Sequence, residues 1–152
     1  MRKTSSTGFD LTPLSDDERL ALAARLTPQQ RHILLSHGTE APFCGGLLDN
    51  KLDGLYACAL CGLPLFSSQD KFDSGTGWPS YQRPFDAGHV HQVRDTSHGM
   101  VRIEVRCARC DGHLGHVFPD GPPPTFTRYC LNSDALEFFV QGSQPEQRIA
   151  AG

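Results

Sequence analysis

Met100-Val101-Arg102-Ile103-Glu104-Val105-Arg106-Cys107-Ala108-Arg109-Cys110 is the stretch on which the fold turns. Met100, Arg102, Glu104 and Arg106 alternate with Val101, Ile103 and Val105. A period of two marks a half-buried antiparallel strand rather than a helix. The valines and the isoleucine are expected to face the core, and the charged residues the solvent. The strand runs straight into Cys107-x-x-Cys110, so its end is also a candidate metal-binding turn.

Upstream, Cys58-x-x-Cys61 repeats the spacing behind another apolar run, Gly54 to Ala59, and a glycine follows each pair within two residues (Gly62 and Gly112). Two intervening residues let both sulfurs of a tight turn point at one ion, and two such turns complete a tetrahedron with bonds of about 2.3 Å. On this reading Cys58, Cys61, Cys107 and Cys110 hold one structural Zn2+ per chain and clip together strand ends that lie 45 residues apart. A pair of redox-active motifs is the rival reading. That chemistry favours a strand-to-helix junction, whereas both pairs here end strands among turns. A structural zinc site contributes on the order of 10 kcal/mol to folding, so loss of the metal should unfold the chain.

The rest of the chain is read outward from these strands. Arg128 to Val140 is a further strand candidate, and Pro122-Pro123-Pro124 is a stiff connection that delivers the chain into it. Ser15 with Glu18 makes a capping box ahead of a short stripe of Leu20, Leu22 and Ala24. Thr27, Pro28 and Gln30 repeat that start signal, and Gly38 supplies the stop. Two short helices therefore precede a loop-rich β region, in keeping with 15 glycines and 11 prolines among 152 residues. One domain is expected over 27–143, behind a lead at 1–26 with a short helix and ahead of a flexible tail at 144–152. Nothing functional is expected in the first 14 residues or so.

The formal net charge is -3 and the 14 lysines and arginines are scattered, so no basic stripe suits nucleic acid. MRKTSSTGFD carries no apolar segment, which speaks against a secretory signal or a membrane span and for the cytoplasm. In that reducing compartment six cysteines serve metal binding or catalysis, not a disulfide framework.

Four metal ligands leave Cys44 and Cys130. In Thr127-Arg128-Tyr129-Cys130-Leu131-Asn132, residues 128, 130 and 132 share one face of a strand, so a cation and an amide flank the thiol. An ordinary thiol is only a few per cent ionised at neutral pH; one lowered to about 6.5 by Arg128 would be roughly three-quarters thiolate. A small buried apolar residue is the other reading of Cys130, and spacing leaves both open. His113 and His116, flanking a glycine bend in Gly112-His113-Leu114-Gly115-His116-Val117-Phe118, are read as a proton-handling pair or as packed core. Trp78 stands in the glycine-rich Gly75-Thr76-Gly77-Trp78-Pro79-Ser80, as core or as the wall of an apolar pocket.

Taken together the motifs resemble the methionine sulfoxide reductase B family. The matching stretches are TEAPF (39–43), LDN (48–50), CxxCG from Cys58, LFSS and KFDSGTGWPS (65–80), SHGMVR (97–102), EVRCARC (104–110), HLGHVF and DGP (113–122) and RYCLNS (128–133), in order over about 100 residues. The resemblance implies a mainly β fold of two antiparallel sheets with short N-terminal helices and a four-cysteine zinc site. It also implies reduction of methionine-R-sulfoxide, free or in proteins, with thioredoxin as reductant. The chain is expected to be a monomer. Carried over by position, Cys130 is the nucleophile and His113, His116, Arg128 and Asn132 line its site. Trp78 packs on the substrate methyl, with Phe118 and Asp120 as further pocket residues. A sulfoxide sulfur is a poor electrophile until its oxygen is protonated, and His116, assisted by His113 or Asn132, is the expected donor.

Two departures from the family stand out. Many members carry a resolving cysteine where this chain has Thr76. The resemblance then leaves Cys44 as the thiol that meets the Cys130 sulfenic acid, giving a Cys44–Cys130 disulfide during turnover. Phe126 replaces a glycine common before RYC and is expected to narrow the entrance.

Overall fold

Both capping boxes form. In the computed structural model, which describes residues 4–143 and Gln147, Ser15 Oγ accepts from the Glu18 amide at the start of α1 (Asp16–Ala23), and the Glu18 carboxylate accepts from the Ser15 amide. Thr27 and Gln30 do the same for α2 (Pro28–Ser36), with Pro28 at the first helical position. The stop differs from expectation. His37, not Gly38, takes the left-handed conformation, at φ 58°. Gly38 is needed for room: a Cβ there would stand 2.2 Å from the His32 ring.

Among the described residues nine strands follow: β1 (Gly54–Cys58), β2 (Pro64–Ser67), β3 (Lys71–Phe72), β4 (Ser80–Tyr81), β5 (Val90–Asp95), β6 (Arg102–Cys107), β7 (His113–Phe118), β8 (Arg128–Leu131) and β9 (Leu136–Val140). They make two antiparallel sheets with the orders β2-β1-β9 and β3-β4-β8-β7-β6-β5. The run from Arg128 to Val140 is thus two strands in different sheets. The short helix Ser133–Ala135 steps the chain from one to the other. Tyr56, Phe66 and Tyr81 fill the space between the sheets, with Phe66 stacked on Tyr81 at 4.6 Å and Tyr56 edge-on to it at 5.3 Å. Fully burying a side chain of this size contributes about 1.5–3 kcal/mol. Ile33 and Leu34 bury α2 in the same core.

The alternation in β6 holds for Val105, which is fully buried, but Met100 and Val101 precede the strand and are exposed. Glu104, assigned to solvent by the pattern, is only 4% exposed. The C-terminal end of α2 brings His37 onto the carboxylate, and the neighbouring strand β7 adds His113.

The lead is docked from Thr4 onward. Phe9 meets Phe85 and His89 edge-on at 6.0 and 5.4 Å, Ser6 and Thr7 hydroxyls donate to Asp86, and the Leu14 amide donates to the Arg109 carbonyl. Residues 1–3 of the lead and, apart from Gln147, the tail expected at 144–152 lie outside the described residues. Among the described residues no helix is long and apolar enough to cross a membrane.

Candidate functional site

β8 lies between β4 and β7, and its register sets Cys130 opposite Ser80 on one side and His116 on the other. The neighbouring pair is Gly115 with Leu131, and a Cβ on Gly115 would stand 1.9 Å from the Cys130 carbonyl oxygen. Gly115 therefore permits close strand approach; it is not the bend expected from the sequence. The two histidines meet through a β-bulge. Val105 pairs with Gly115 and Arg106 with His113, which leaves Leu114 without a partner on β6. Asn132 captures the Leu114 carbonyl through both its backbone amide (3.0 Å) and its side-chain amide (3.1 Å). The extra residue turns His113 and His116 toward each other, with ring centroids 5.5 Å apart.

Each ring is held by a carboxylate. His116 Nε2 lies 2.8 Å from Asp95 Oδ2, which also accepts from Arg102 at 3.3 Å. Hydrogen bonds from Ser97, and then from His116, keep the Asp95 carboxyl well below the usual carboxylate range. His113 Nδ1 lies 2.6 Å from Glu104 Oε2, which His37 Nδ1 reaches at 2.7 Å, while Arg106 holds Oε1 at 2.9 Å. Burial opposes the Glu104 charge, but the Arg106 and His113 hydrogen bonds outweigh it and hold the carboxyl at about 2. Burial pushes His113 the other way, toward the neutral imidazole.

Cys130 is half-buried and opens on a cleft of about 230 Å3. Trp78, Phe118 and Leu131 form its apolar wall; Arg128, Asn132 and His116 form much of its polar side. Trp78 is carried by a turn in which Gly75 and Gly77 have φ of 75° and 93°, and its indole N–H donates to the Glu40 carbonyl at 3.0 Å. Asn132 Oδ1 accepts from the Glu40 amide at 3.0 Å, so one backbone segment orients both side chains. Arg128 grips Asp120 through two hydrogen bonds of 2.9 and 3.2 Å and lies 4.4 Å above the Phe118 ring.

The thiol is not lowered by its cation as the sequence suggested. Burial pushes the Cys130 thiol up; Arg128 and a hydrogen bond with the Thr76 hydroxyl offset part of that, and Glu40 adds to it. Arg128 gives the larger of the two offsets, while its charge is also shared with Asp120.

The other sequence candidates divide. His113 lines the adjoining polar cleft of about 420 Å3 instead of the thiol cleft; the two clefts share Thr39, Arg102 and His116. Asp120 reaches the site only through Arg128. Cys44 is exposed and does not line the thiol cleft, and neither does Phe126, which is 61% exposed at φ 55° and so does not narrow the opening as expected. Thr39, Arg102, Asp95 and Glu104 were not singled out from sequence. Only the position of Arg102 in the strand facing the histidines could have signalled its part.

The four-cysteine centre joins the ends of β1 and β6. Each pair forms the same turn: Cys58 bonds Gly62 and Leu63 as Cys107 bonds Asp111 and Gly112. The left-handed residue is Gly62 in one turn and Asp111, not Gly112, in the other, at φ 80° and 62°. Cys58 and Cys110 sulfurs lie 3.6 Å apart, as do those of Cys61 and Cys107, and all four fall within 4.8 Å of one another. A tetrahedron with bonds of about 2.3 Å has edges of about 3.8 Å, whereas a disulfide needs about 2.05 Å. The cysteines fit one enclosed metal ion.

Comparison with known proteins agrees with this geometry. The SelR domain family matches residues 26–140. The chain is similar to the peptide methionine sulfoxide reductase MsrB of Caulobacter vibrioides, with 63% identity over 139 residues covering 91% of this chain and 87% of that protein. The corresponding protein of Xylella fastidiosa is 61% identical over 144 residues, covering 95% and 93%. That of Escherichia coli is 55% identical over 117 residues, covering 77% and 85%.

Proposed function

The chain belongs to the SelR family of peptide methionine sulfoxide reductases, and from that premise we propose that it reduces the R epimer of methionine sulfoxide with Cys130 as nucleophile. It is an oxidoreductase acting on methionine sulfoxide. The observation that carries the rest is the opening of a half-buried thiol onto a cleft with an aromatic wall on one side and a carboxylate-held imidazole, His116, on the other.

In this reading Trp78 and Phe118 take the substrate methyl group, and Arg128 with Asn132 shapes the polar side. His116, with Asp95 behind it, donates the proton to the sulfoxide oxygen as the Cys130 sulfur attacks. Attack joins the two sulfurs, and the Cys130 proton replaces the one that His116 gave. The substrate S–O bond then breaks as the hydroxyl passes to the Cys130 sulfur, the S–S bond breaks with its electron pair going to methionine, and Cys130 is left as a sulfenic acid. The Cys44 thiol then displaces water to form a Cys44–Cys130 disulfide, which a dithiol protein of the thioredoxin kind reduces. Phe43 donates its amide to Gly77 O at 2.7 Å, which tethers the Cys44 loop to the turn carrying Thr76 and Trp78. An exposed Cys44 must move with that loop to reach the thiol.

Zn2+ is the ion assigned to Cys58, Cys61, Cys107 and Cys110, where four thiolates close its coordination and its contribution is to folding. The catalytic unit spans 27–143, works as a monomer and resides in the cytoplasm, a compartment in which six cysteines persist outside disulfides. The test is reduction of dabsyl-methionine-R-sulfoxide with dithiothreitol. Wild type should turn over and Cys130→Ser should lose at least a thousandfold in rate; equal activity in the variant would sink the assignment. Peptide mapping after one turnover without reductant should find Cys44 linked to Cys130.

A further inference from the structure

We propose that His37, Glu104 and His113 form a second metal site, distinct from the four-cysteine centre, that takes a borderline transition cation such as Zn2+ and inhibits the enzyme. His37 Nδ1 and His113 Nδ1 converge on one carboxylate oxygen, Glu104 Oε2, at 2.7 and 2.6 Å, and the three donor atoms lie within 4.8 Å of one another. Two imidazole nitrogens with one carboxylate oxygen suit Zn2+, Ni2+ or Co2+ and not the all-oxygen preference of Mg2+ or Ca2+. Arg106 occupies only Oε1, so the converging oxygen is left to the imidazoles.

Proton accounting favours the exchange. As hydrogen-bond donors to Oε2 the imidazoles carry their protons on Nδ1; as metal ligands they carry them on Nε2. The buried His113 Nε2 has no hydrogen-bond partner, so placing the proton there breaks no bond. Donor atoms around a tetrahedral Zn2+ at about 2.0–2.2 Å sit roughly 3.3–3.6 Å from each other, so the nitrogen-to-oxygen spacings of 2.7 and 2.6 Å must open by roughly 0.6–1 Å. His37 can supply that movement, since its side chain is 50% exposed and it stands at the end of α2. The adjoining cleft of about 420 Å3 admits the ion and leaves room for water in the remaining coordination positions.

Occupation would fix the His113 ring and place a cation behind His116, one of the side chains common to this cleft and to the Cys130 cleft. The inhibitory consequence rests on the reductase reading; the binding does not. The probe is Zn2+ itself, added to zinc-loaded protein. In a Cys44→Ser/Cys130→Ser variant, calorimetry should find one additional equivalent of Zn2+ per chain, with no Mg2+ binding, and His37→Gly should weaken it at least tenfold. Glycine suits the left-handed backbone at 37 and removes only the ring; His37→Asn, which also tolerates that backbone, provides a second check. In single turnover without dithiol, the same Zn2+ should slow methionine formation at least tenfold in otherwise wild-type protein and leave His37→Gly near its metal-free rate. No extra equivalent, or unchanged affinity in both His37 variants, overturns the site. Binding with equal slowing of wild type and His37→Gly, or with no slowing, overturns the inhibition. A protein that forms no methionine even without added Zn2+ instead refutes the reductase assignment and leaves the calorimetric result standing.

Discussion

With Cys130 as the proposed nucleophile, its ionisation is the first quantity to measure. Burial outweighs the help of Arg128 and Thr76, so the resting thiol is expected to alkylate more slowly than free cysteine at neutral pH. Its rate should keep climbing as pH rises past 9. Arg128→Ala removes the nearby cation and should slow alkylation at pH 7 several-fold further. Asp120→Ala releases that cation from its carboxylate and should speed it several-fold. Iodoacetamide kinetics across pH check both; the same direction in the two variants would refute the account. At this scale the sequence displayed Arg128, Cys130 and Asn132 on one face, because alternation in a strand is geometric. It did not display the Glu104 contacts or the Thr76 hydrogen bond, because both depend on which elements fold over that face. A glutamate in an alternating strand reads as solvated until α2 is laid across it.

Among the elements, the pairing of β7 with β8 does the most to assemble the site, and a single missing side chain permits it. A Cβ on Gly115 would collide with the Cys130 carbonyl on a backbone that cannot swing away. Gly115→Ala should therefore cost more than about 3 kcal/mol, at or beyond the upper range for overpacking, and should depress activity through displaced His116 and Cys130. Denaturant titration and the sulfoxide assay should move together; a stable, active Gly115→Ala would contradict the register. By contrast Thr27→Ala removes one cap from α2 and should cost about 1 kcal/mol with activity retained. Caps were legible because their signal lies within four residues. The bulge at Leu114 was not, since it is a relation between β6 and β7 that neither strand reveals alone.

Across the whole molecule, the four cysteines announced that the ends of β1 and β6 meet, and so that two sheets are pinned at one corner. What they could not announce was that the run from Arg128 to Val140 divides between those sheets, because the dividing turn, Asn132 to Ala135, carries no proline or glycine. Acid should dismantle this assembly by two routes. Thiolates that bind metal are lost to protons as pH falls, in any variant that keeps the cysteines. Glu104 adds a separate contribution. Its carboxyl stands at about 2 in the folded chain against an ordinary 4.5, so its stabilisation is present above about pH 4.5 and disappears as pH falls toward 2. The full difference corresponds to roughly 3 kcal/mol. Glu104→Gln removes that contribution and leaves the four cysteines in place. The gap in Tm between wild type and Glu104→Gln should be widest near pH 7, shrink steadily below about pH 4.5 and close toward pH 2. A gap that stays constant over that range would mean that the glutamine merely packs poorly, and that the charge held between Arg106 and His113 contributes nothing to the fold.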